Sequence, residues 1–475
     1  MAMEHGASAQ SVLPSGGTVA AGAASISQSR TAMTVNQTSG RAVVNWNSFS
    51  IGQGNSVTFN QPSASSAILN RVTGSSSSTI AGQLDANGQV YLVNPNGIAI
   101  TRSGAVRADG GFVASTLAIS DQDFLNGNLA FGGNGVAAPV DVAGAVRAGA
   151  GGFVGLIGGS VSVSGDVSVP LGKVGLGSGE RATLDLTGDK FLRVAAPTGA
   201  KTTDGKALVD VSGKVNAAGG LVVLKAATVA DAVRQAINIP GELSASSVRA
   251  RGGAIVFSGG PGGDVNVSGR VSSSGSKKGG SIKITGRSVT LDHAKVSAAS
   301  SVGMGGLITV TGPGAVTLAA SKITTNGATR GGAIRVGGDF HGAPDILAAR
   351  SVTIDENSTL NANAGAAGDG GSIAVWSNAL TNFSGLITAL GGANRGNGGS
   401  VEVSANPADH GVLEYAGFAD LRARRGSAGT LLLDPYNITI STGPDSGGAF
   451  TGGVFVPAST SYINSATLEN QLQAA

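Results

Sequence analysis

Short runs of alternating apolar and polar residues recur through the second half of the chain, and each run opens on a pair of glycines. Alternation of this kind is typical of a β-strand that buries one face. The runs are GGAIVFSG (252–259), GGSIKITG (279–286), GGLITVTG (305–312), GGAIRVGG (331–338), GGSIAVWS (370–377) and GGSVEVSA (398–405). Counted on the second glycine, they lie 27, 26, 26, 39 and 28 residues apart. A period in this range predicts a solenoid of stacked repeats.

Each repeat contains three such runs, separated by glycine, serine or aspartate. In one copy they are SIKIT (281–285), SVTLD (288–292) and AKVSA (294–298). Three short strands with sharp corners form one coil of a right-handed parallel β-helix, whose coils stack about 4.8 Å apart. We therefore predict an all-β fold, a three-faced solenoid of about 26 residues per coil. Apolar side chains fill its interior, and the alternate residues are expected to face solvent.

The one long step between repeats has a local explanation. SVTLD (288–292) and SVTID (351–355) are equivalent strands, but the second lies farther from its glycine pair. The extra residues surround Phe340–Pro344, which predicts an inserted loop. Phe340, His341 and Asp345 in this loop are candidates for ligand contact.

The same architecture extends into the first half of the chain. GAVRADGGFV (104–113), GAVRAGAGGFV (144–154) and GKVNAAGGLV (213–222) share one form. Two segments break the pattern. The order Ser-x-x-acid at 120–123 is typical of a helix start, and 228–237 has the composition of a helical turn or two. Both are predicted to be short excursions from the coils.

The stretch QVYLVNPNGIAI (89–100) contains two strand-like runs around Asn94–Gly97. A hairpin is the default interpretation of such a pattern. The surrounding repeat instead favours a corner between two faces of one coil. Asparagine side chains at such a corner can bond nearby backbone and stack on neighbouring coils.

Composition narrows the possible functions. Aromatic residues make up 4% of the chain, which suits a thin aliphatic core, and the 475 residues include 78 glycines. The net charge is only +3, and Lys277–Lys278 and Arg422–Arg425 are the nearest approach to basic clusters. No aromatic residues interleave with them, so nucleic acid is not an expected partner.

The chain contains no cysteine, which excludes disulfides and thiolate catalysis. A cysteine-free chain suits export, because a premature disulfide would block threading through a membrane pore. No segment is long and apolar enough to suggest a membrane-spanning helix. Residues 1–10 lack the features of a signal peptide, and we expect them to be a vector-derived remnant.

Two long segments carry a family resemblance. They are RAVVNWNSFSIGQGNSVTFNQPSASSAILNRVTG (41–74) and STIAGQLDANGQVYLVNPNGI (78–98). They closely resemble the N-terminal secretion domain of two-partner-secretion exoproteins, the filamentous haemagglutinin-like and high-molecular-weight adhesin-like family. The resemblance continues at ISDQDFLNGNLAF (119–131) and returns at TLLLDPYNITI (430–440). It implies a secretion domain over 11–240, followed by further β-helix repeats over 241–475 that stop short of the exoprotein's C-terminus.

The resemblance also implies a route of export and a partner. The partner is a cognate outer-membrane barrel of the TpsB type, whose periplasmic POTRA domains recognise the secretion domain while it is extended. The exoprotein would then be secreted or held at the bacterial surface, and folding outside the cell would discourage backsliding. By this resemblance, the residues that the transporter recognises are Asn60, Gln61, Pro62, Ser63, Asn94, Pro95, Asn96, Gly97 and Ile98.

These motifs also depart from the family pattern and allow a purely structural interpretation. The first reads NQPS where some members have NPNL, and Ala99–Arg102 stand where many relatives have an aromatic residue and a glycine. Alternatively, the residues only make corners, and recognition is spread along exposed backbone. As a hypothesis, Asn96→Ala reduces secretion by slowing coil formation.

Several functions fit an exported β-helix. We expect an adhesin that attaches to host cells, matrix or a biofilm polysaccharide, so a glycan or another host surface ligand is a possible partner. The alternatives are the export and stalk region of a haem or haemopexin acquisition protein or of a contact-dependent toxin, and a polysaccharide-degrading enzyme.

The residues themselves give little support for catalysis, a cofactor or a metal. The candidate acids of an enzyme are Asp292, Asp355, Glu356 and Asp434. Only Asp292 and Asp355 recur at equivalent positions, where they fit strand ends, so we do not expect an enzyme. The four histidines show no spacing typical of metal or haem ligands; they are His5, His293, His341 and His410.

Overall fold

A computed structural model describes residues 12–434, apart from 136, 189, 200–206, 231–233, 249, 251, 407 and 409. Farther along it places the backbone of three strands, Ile438–Ser441, Ser446–Thr451 and Val454–Asn464. The predicted vector remnant at 1–10 and His5 lie outside the described residues. The chain forms two compact units, Met1–Lys201 and Thr202–Ala475.

Three parallel sheets form the faces of the first unit. Sheet 1A contains Arg41–Trp46, Ala67–Val72, Gln89–Val93, Gly111–Ser115, Phe153–Gly158 and Lys173–Ser178. Sheet 1B contains Ser78–Ile80, Ile98–Ile100, Pro139–Val142 and Ser160–Val163. Sheet 1C contains Ala32–Gln37, Ser56–Asn60, Gln83–Ala86, Ala105–Ala108, Ala145–Ala148 and Asp166–Ser168.

Other elements of the first unit lie against these faces. Thr18–Ala21 and Ala24–Gln28 pair antiparallel with the first strands of sheets 1A and 1C. Ala130–Gly132, Arg181–Leu184 and Leu192–Ala195 form a small antiparallel sheet, named 1D. Helix α1 covers Asp121–Asn126. Among the described residues, no helix has the length and apolar character needed to cross a bilayer.

The second unit repeats the three-faced plan. Sheet 2A contains Leu221–Ala226, Ala254–Ser258, Ser281–Thr285, Leu307–Thr311, Ala333–Val336, the start of Ser372–Phe383, Ser400–Ala405 and Thr430–Asp434. Sheet 2B contains Val209–Val211, Arg234–Ile239, Gly263–Val267, Val289–Asp292, Ala315–Ala319, Ala349–Ile354, the end of Ser372–Phe383 and Val412–Tyr415. Sheet 2C contains Lys214–Asn216, Glu242–Ser244, Arg270–Ser272, Lys295–Ser297, Lys322–Thr324, Thr359–Asn361, Leu386–Thr388 and Phe418–Asp420.

Matching residues stack on one another through the interior of the second unit. Ile282, Ile308 and Ile334 are paired in register along sheet 2A and are at most 1% exposed. A parallel ladder keeps such positions aligned, because a shift of one residue would turn every side chain to the opposite face. The predicted parallel β-helix is confirmed, as is the period set by the glycine pairs.

The corner at Asn94–Gly97 is confirmed as well. Strand Gln89–Val93 pairs within sheet 1A, whereas Ile98–Ile100 pairs within sheet 1B. The two strands therefore belong to different faces and do not form a hairpin. The inserted loop is also confirmed, since Val316 pairs with Val352 in register and leaves 337–348 outside the ladder.

The expectation that alternate residues face solvent is wrong for sheet 1A. Its outward side chains Val43, Leu69, Tyr91 and Val113 are fully buried. Helix α1 and sheet 1D cover this face, which makes a second apolar layer outside the coil.

Glycines in sheet 1A leave room for that outer layer. A Cβ atom built on Gly155 would lie 3.1 Å from Leu184 Cδ1, and one on Gly175 would lie 2.9 Å from Phe191 Cε1. Larger side chains at these positions would displace the covering residues, because such contacts are already at or below van der Waals distance.

The two predicted excursions have different outcomes. Helix α1 is confirmed: the Ser120 hydroxyl accepts a hydrogen bond of 3.0 Å from the Asp123 N–H at its N-terminus. The helical turn predicted for 228–237 is wrong over its described end, because Arg234–Ile239 is a strand of sheet 2B. Ile237 and Ile239 pair in register with apolar residues of the next coil, and this pairing outweighs local helix preference.

Candidate functional site

The Asn-Pro-Asn-Gly corner is built around the buried amide of Asn94. Its Nδ2 donates to the Ser76 carbonyl at 3.0 Å and to the Ser78 hydroxyl at 2.9 Å. Its Oδ1 accepts from the Asn96 N–H at 3.0 Å and from Asn96 Nδ2 at 3.1 Å. Because all the polar groups of this amide are used internally, Asn94 holds the corner together and offers nothing to a partner.

The remaining residues of this corner divide into interior and rim. Gly97 is buried with a φ of +111°, where a side chain would be strained. Ile98 is buried and begins a strand of sheet 1B. Pro95 is half-buried and Asn96 is exposed, although Asn96 Nδ2 also donates to the Gly74 carbonyl at 2.9 Å. Only Pro95 and Asn96 of this corner therefore reach the surface after folding.

The second corner, Asn60–Ser63, follows the same plan with glutamine inside. Gln61 is buried, and its Nε2 lies 3.0 Å from both Gln37 Oε1 and the Ser66 carbonyl. The Asn87 side chain accepts from the Gln61 N–H and donates to the Gln61 carbonyl, each at 2.8 Å. Asn87 thus pairs with the backbone as a neighbouring strand would.

The exposed part of this corner consists of Asn60, Pro62 and Ser63. Asn60 Nδ2 donates to Asn36 Oδ1 at 2.8 Å, an asparagine pair between adjacent coils like the stacking expected from the sequence. The predicted motif residues therefore have two roles in the fold, an internal amide and an exposed rim.

The structure does not bring the two corners together. Gln61 Nε2 lies 3.2 Å from the Gln89 carbonyl, at the start of strand Gln89–Val93, and Asn94 follows the end of that strand. The corners are thus separated by a five-residue strand, roughly 15 Å. A single partner domain must span that strand to contact both.

Sequence reasoning missed the polar residues that fasten helix α1. Arg71 forms an ion pair with Asp121 at 2.6 Å and donates to the Ile119 carbonyl at 2.8 Å. Arg41 donates to the Phe124 carbonyl at 2.8 Å. Arg71 is part of the motif that carries the resemblance, but its partners are far along the chain and become visible only in the fold.

Tyr91 is the apolar anchor of the same helix. Its ring lies edge-on to Phe124, with 5.1 Å between centroids. Burial raises the pKa of the Tyr91 hydroxyl, and the nearby Arg41 charge opposes that shift only in part. The hydroxyl donates to Gln89 Oε1 at 3.2 Å, so its polar end is satisfied beneath the helix.

The inserted loop of the second unit is docked on the outer face of sheet 2A. Phe340 begins a short 3-10 helix, Phe340–Gly342, and stacks under the Arg335 guanidinium at 4.7 Å. The His341 N–H donates to Glu402 Oε2 at 3.0 Å. Of the three predicted ligand contacts, the His341 ring and Asp345 face solvent, whereas Phe340 is half-buried.

Glu402 and Trp376 form the platform under this loop. The Glu402 side chain is fully buried, and its Oε1 has no hydrogen-bond partner among the described residues. Trp376 is 5% exposed and packs against Gly342, where a Cβ atom would lie 2.5 Å from Trp376 Cζ2. The loop therefore depends on one buried carboxylate and on glycine at 342.

The candidate catalytic acids lie in turns and at strand ends. Asp355 accepts from the Ala320 N–H at 2.9 Å, and Asp292 lies 2.6 Å from His293 Nδ1. Glu356 is exposed, and Asp434 ends the strand Thr430–Asp434.

The basic run at 422–425 is partly engaged in structure. Arg422 Nε and Nη2 donate to the two Asp420 carboxylate oxygens at 2.9 and 2.6 Å. These bonds hold the pKa of Asp420 below its usual range, although burial opposes the shift. Arg424 and Arg425 remain exposed.

Comparisons with known proteins bear on the family and the fold of the chain. The sequence model of the TPS secretion domain matches residues 10–273. The crystal structure of the HMW1 secretion domain from Haemophilus influenzae superposes with a TM-score of 0.65 at 28% identity. That match covers 89% of this chain and 100% of the HMW1 domain.

Two curated relatives from Haemophilus influenzae are each named heme/hemopexin-binding protein. One is 42% identical over 118 residues, which is 24% of this chain and 13% of the relative. The other is 46% identical over 78 residues, which is 16% of this chain and 8% of the relative. The matched segments are therefore a small part of both relatives.

The first prediction concerns the buried amide of the Asn-Pro-Asn-Gly corner. Asn94→Ala should lower the free energy of unfolding of the first unit by about 2–3 kcal/mol, because it leaves buried partners unsatisfied. Asn96→Ala, at the exposed rim, should cost less than about 1 kcal/mol. Urea unfolding followed by fluorescence measures both changes in a Trp376→Phe background, which leaves Trp46 of the first unit as the one tryptophan in the sequence. Equal losses for the two variants would contradict the assignment.

The second prediction concerns the platform of the inserted loop. Glu402→Leu removes the acceptor of the His341 N–H and should release the loop, which exposes Trp376. Glu402→Gln keeps a carbonyl oxygen at that place and serves as the matched control. Acrylamide quenching of tryptophan fluorescence should rise for the leucine variant and change little for the glutamine variant, since the other tryptophan, Trp46, is 1% exposed. Unchanged quenching in Glu402→Leu would show that the carboxylate does not hold the loop.

Proposed function

The chain belongs to the TPS secretion domain family, and from that premise we propose that it is the export and stalk region of a bacterial surface adhesin. Proteins of this family are exoproteins of two-partner systems and are secreted to the cell surface. The domain also implies a cognate outer-membrane transporter of the TpsB type. We propose in addition which residues contact the transporter and what the exported chain does at the cell surface.

The two Asn- and Pro-containing motifs, 60–63 and 94–98, are proposed to be read while the chain is extended, when all their side chains are accessible. Periplasmic POTRA domains are the proposed readers. After folding, only Pro95 and Asn96 on one corner, and Asn60, Pro62 and Ser63 on the other, stay exposed or half-exposed. The interior residues Gln61 and Asn94 are proposed to act later, by locking each coil as it forms outside the cell.

One observation carries the stalk part of the proposal. The coils continue in the same register well beyond residue 273, where the family match ends. Val401 still pairs with Leu431 in sheet 2A, and Ile387 pairs with Ala419 in sheet 2C. A regular stack that outlasts the secretion domain suits a stalk that holds a binding surface on its own outer coils, away from the membrane.

We also propose that this region has no catalytic activity. Asp292 and Asp355 recur at equivalent coil positions, and both carboxylates are engaged in local hydrogen bonds at the end of a strand. This arrangement supports a structural role for the two acids.

A second candidate function is capture of haem or of haemopexin. The two Haemophilus influenzae relatives, each named heme/hemopexin-binding protein, favour it. The solvent-facing ring of His341 would be the first side chain to test as a haem ligand. A Soret band that shifts and sharpens when haem is added to the purified chain, and does not do so with His341→Ala, would favour this candidate over adhesion.

The adhesin proposal predicts that surface display is sufficient for attachment. Bacteria that express this chain with its transporter should bind immobilised glycans or host cells more than the same strain without the transporter. Surface immunolabelling controls for the amount displayed. Equal attachment by the two strains, with the chain demonstrably at the surface, would contradict the proposal.

A further inference from the structure

Positive charge is concentrated in one segment of the second unit. Residues 270–330 contain eight lysines and arginines and a single acid, Asp292. The whole chain has 31 basic and 28 acidic residues, so the rest carries 23 basic against 27 acidic residues. This segment is thus +7 and the remainder is −4, although the overall charge of +3 suggests no strong field.

Stacking of the coils aligns these charges on the outer faces of sheets 2C and 2A and at the corner between them. Seven of the eight cations are exposed; we call them the basic belt, and they are Arg270, Lys277, Lys278, Lys283, Lys295, Lys322 and Arg330. The eighth, Arg287, is paired with Asp264 at 2.8 Å. Within the described residues, no member of the belt forms an ion pair.

Three members of the belt form a straight row. Arg270, Lys295 and Lys322 occupy equivalent positions in sheet 2C and are paired in register on adjacent strands. Adjacent strands are about 4.8 Å apart, and like charges directly opposite one another destabilise a sheet. The row begins on the two preceding coils with Lys214 and Glu242, which lie 4.0 Å apart, and Glu242 is also in register with Arg270 without an ion pair between them. Three unpaired cations in a row suit an external partner of opposite charge.

Hydroxyl groups run beside the charged row. Ser272, Ser297 and Thr324 lie two residues farther along the same three strands, and therefore on the same outward face. Ser272 Oγ and Ser297 Oγ lie 3.3 and 3.0 Å from Ser274 Oγ. A hydroxyl both donates and accepts, so the face offers neutral hydrogen bonds next to its charges.

The same coils place further cations along a groove. The stacked glycine pairs of sheet 2A line an open groove of about 590 Å³, which Asp369 also lines; Lys278, Met304 and Arg330 border it. These three residues are aligned by bridges between successive coils. The groove therefore runs along the stack, as the charged row does.

We propose that the basic belt binds a linear acidic polysaccharide that lies along the stack of coils. Its sulfate or carboxylate groups would sit on Arg270, Lys295 and Lys322, and its sugar hydroxyls would bond the row of serine and threonine. This inference rests on the proposed adhesin function and names the class of ligand. Nucleic acid fits less well, because the row offers no aromatic side chain for bases to stack on.

The experiment measures binding of the purified chain to dextran sulfate and to hyaluronate at physiological salt. The row variant is Arg270→Gln with Lys295→Gln and Lys322→Gln. The matched control is Arg350→Gln with Arg395→Gln and Arg424→Gln, which removes three exposed charges of the same unit outside the belt. The row variant should bind about tenfold more weakly, and the control less than about twofold. The two probes distinguish sulfate from carboxylate recognition.

Three results would overturn the inference. They are absence of binding to both probes, equal weakening in the row and control variants, and tighter binding of double-stranded DNA than of either polysaccharide. If the triple variant does not fold by circular dichroism, Lys295→Glu and Arg395→Glu provide the same comparison with single changes. Because the assay uses the purified chain, its failure is distinct from a failure of displayed bacteria to attach.

Discussion

Close backbone contact between successive coils is the constraint on which the rest of the structure depends. A Cβ atom on Gly280 would lie 2.1 Å from the Gly253 carbonyl oxygen, and one on Gly306 would lie 2.1 Å from that of Gly280. Backbone atoms cannot yield at such distances, so each coil needs glycine where it meets the preceding one. This requirement explains why glycine pairs mark the repeat, and why the strands after them stay in register.

Because equivalent residues of successive coils stack in register, each outward position of the repeat forms a row on the surface of the stack. Inward positions must remain small and apolar, whereas outward positions are free to carry other features. In the first unit the outward face of sheet 1A holds helix α1 and sheet 1D, through Tyr91 and Arg71. In the second unit, the inserted loop rests on Glu402, and the row Arg270, Lys295 and Lys322 lies on sheet 2C. Membership of the family accounts for the export of the chain. The functions that distinguish this protein from its relatives are expected to depend on these outward positions.

The interior was predictable from the sequence, and the outer surface was not. Alternation and glycine spacing are local signals, so they predicted the strands, the corner at Asn94–Gly97 and the loop around His341. The cover over Val43, Leu69 and Tyr91 was missed because alternation predicts one buried face and not two. Long-range neighbours were equally invisible: Arg71 meets Asp121 and Lys295 meets Lys322 only after folding. Among the predicted motif residues, the sequence did not separate the buried amides from the exposed rim.

Removal of one coil tests the stacking constraint most directly. Deletion of residues 280–305 takes out one repeat of 26 residues and joins Gly279 to Gly306, whereas deletion of 280–292 leaves the repeat out of phase. Circular dichroism and thermal unfolding of both variants are the measurement. The whole-repeat deletion should retain the β-sheet spectrum and the cooperative unfolding of the second unit, in which the deleted residues lie. The half-repeat deletion should weaken the β-sheet spectrum and lose that unit's cooperative transition. Equal loss of structure in the two variants would show that register between coils is not what holds this fold together.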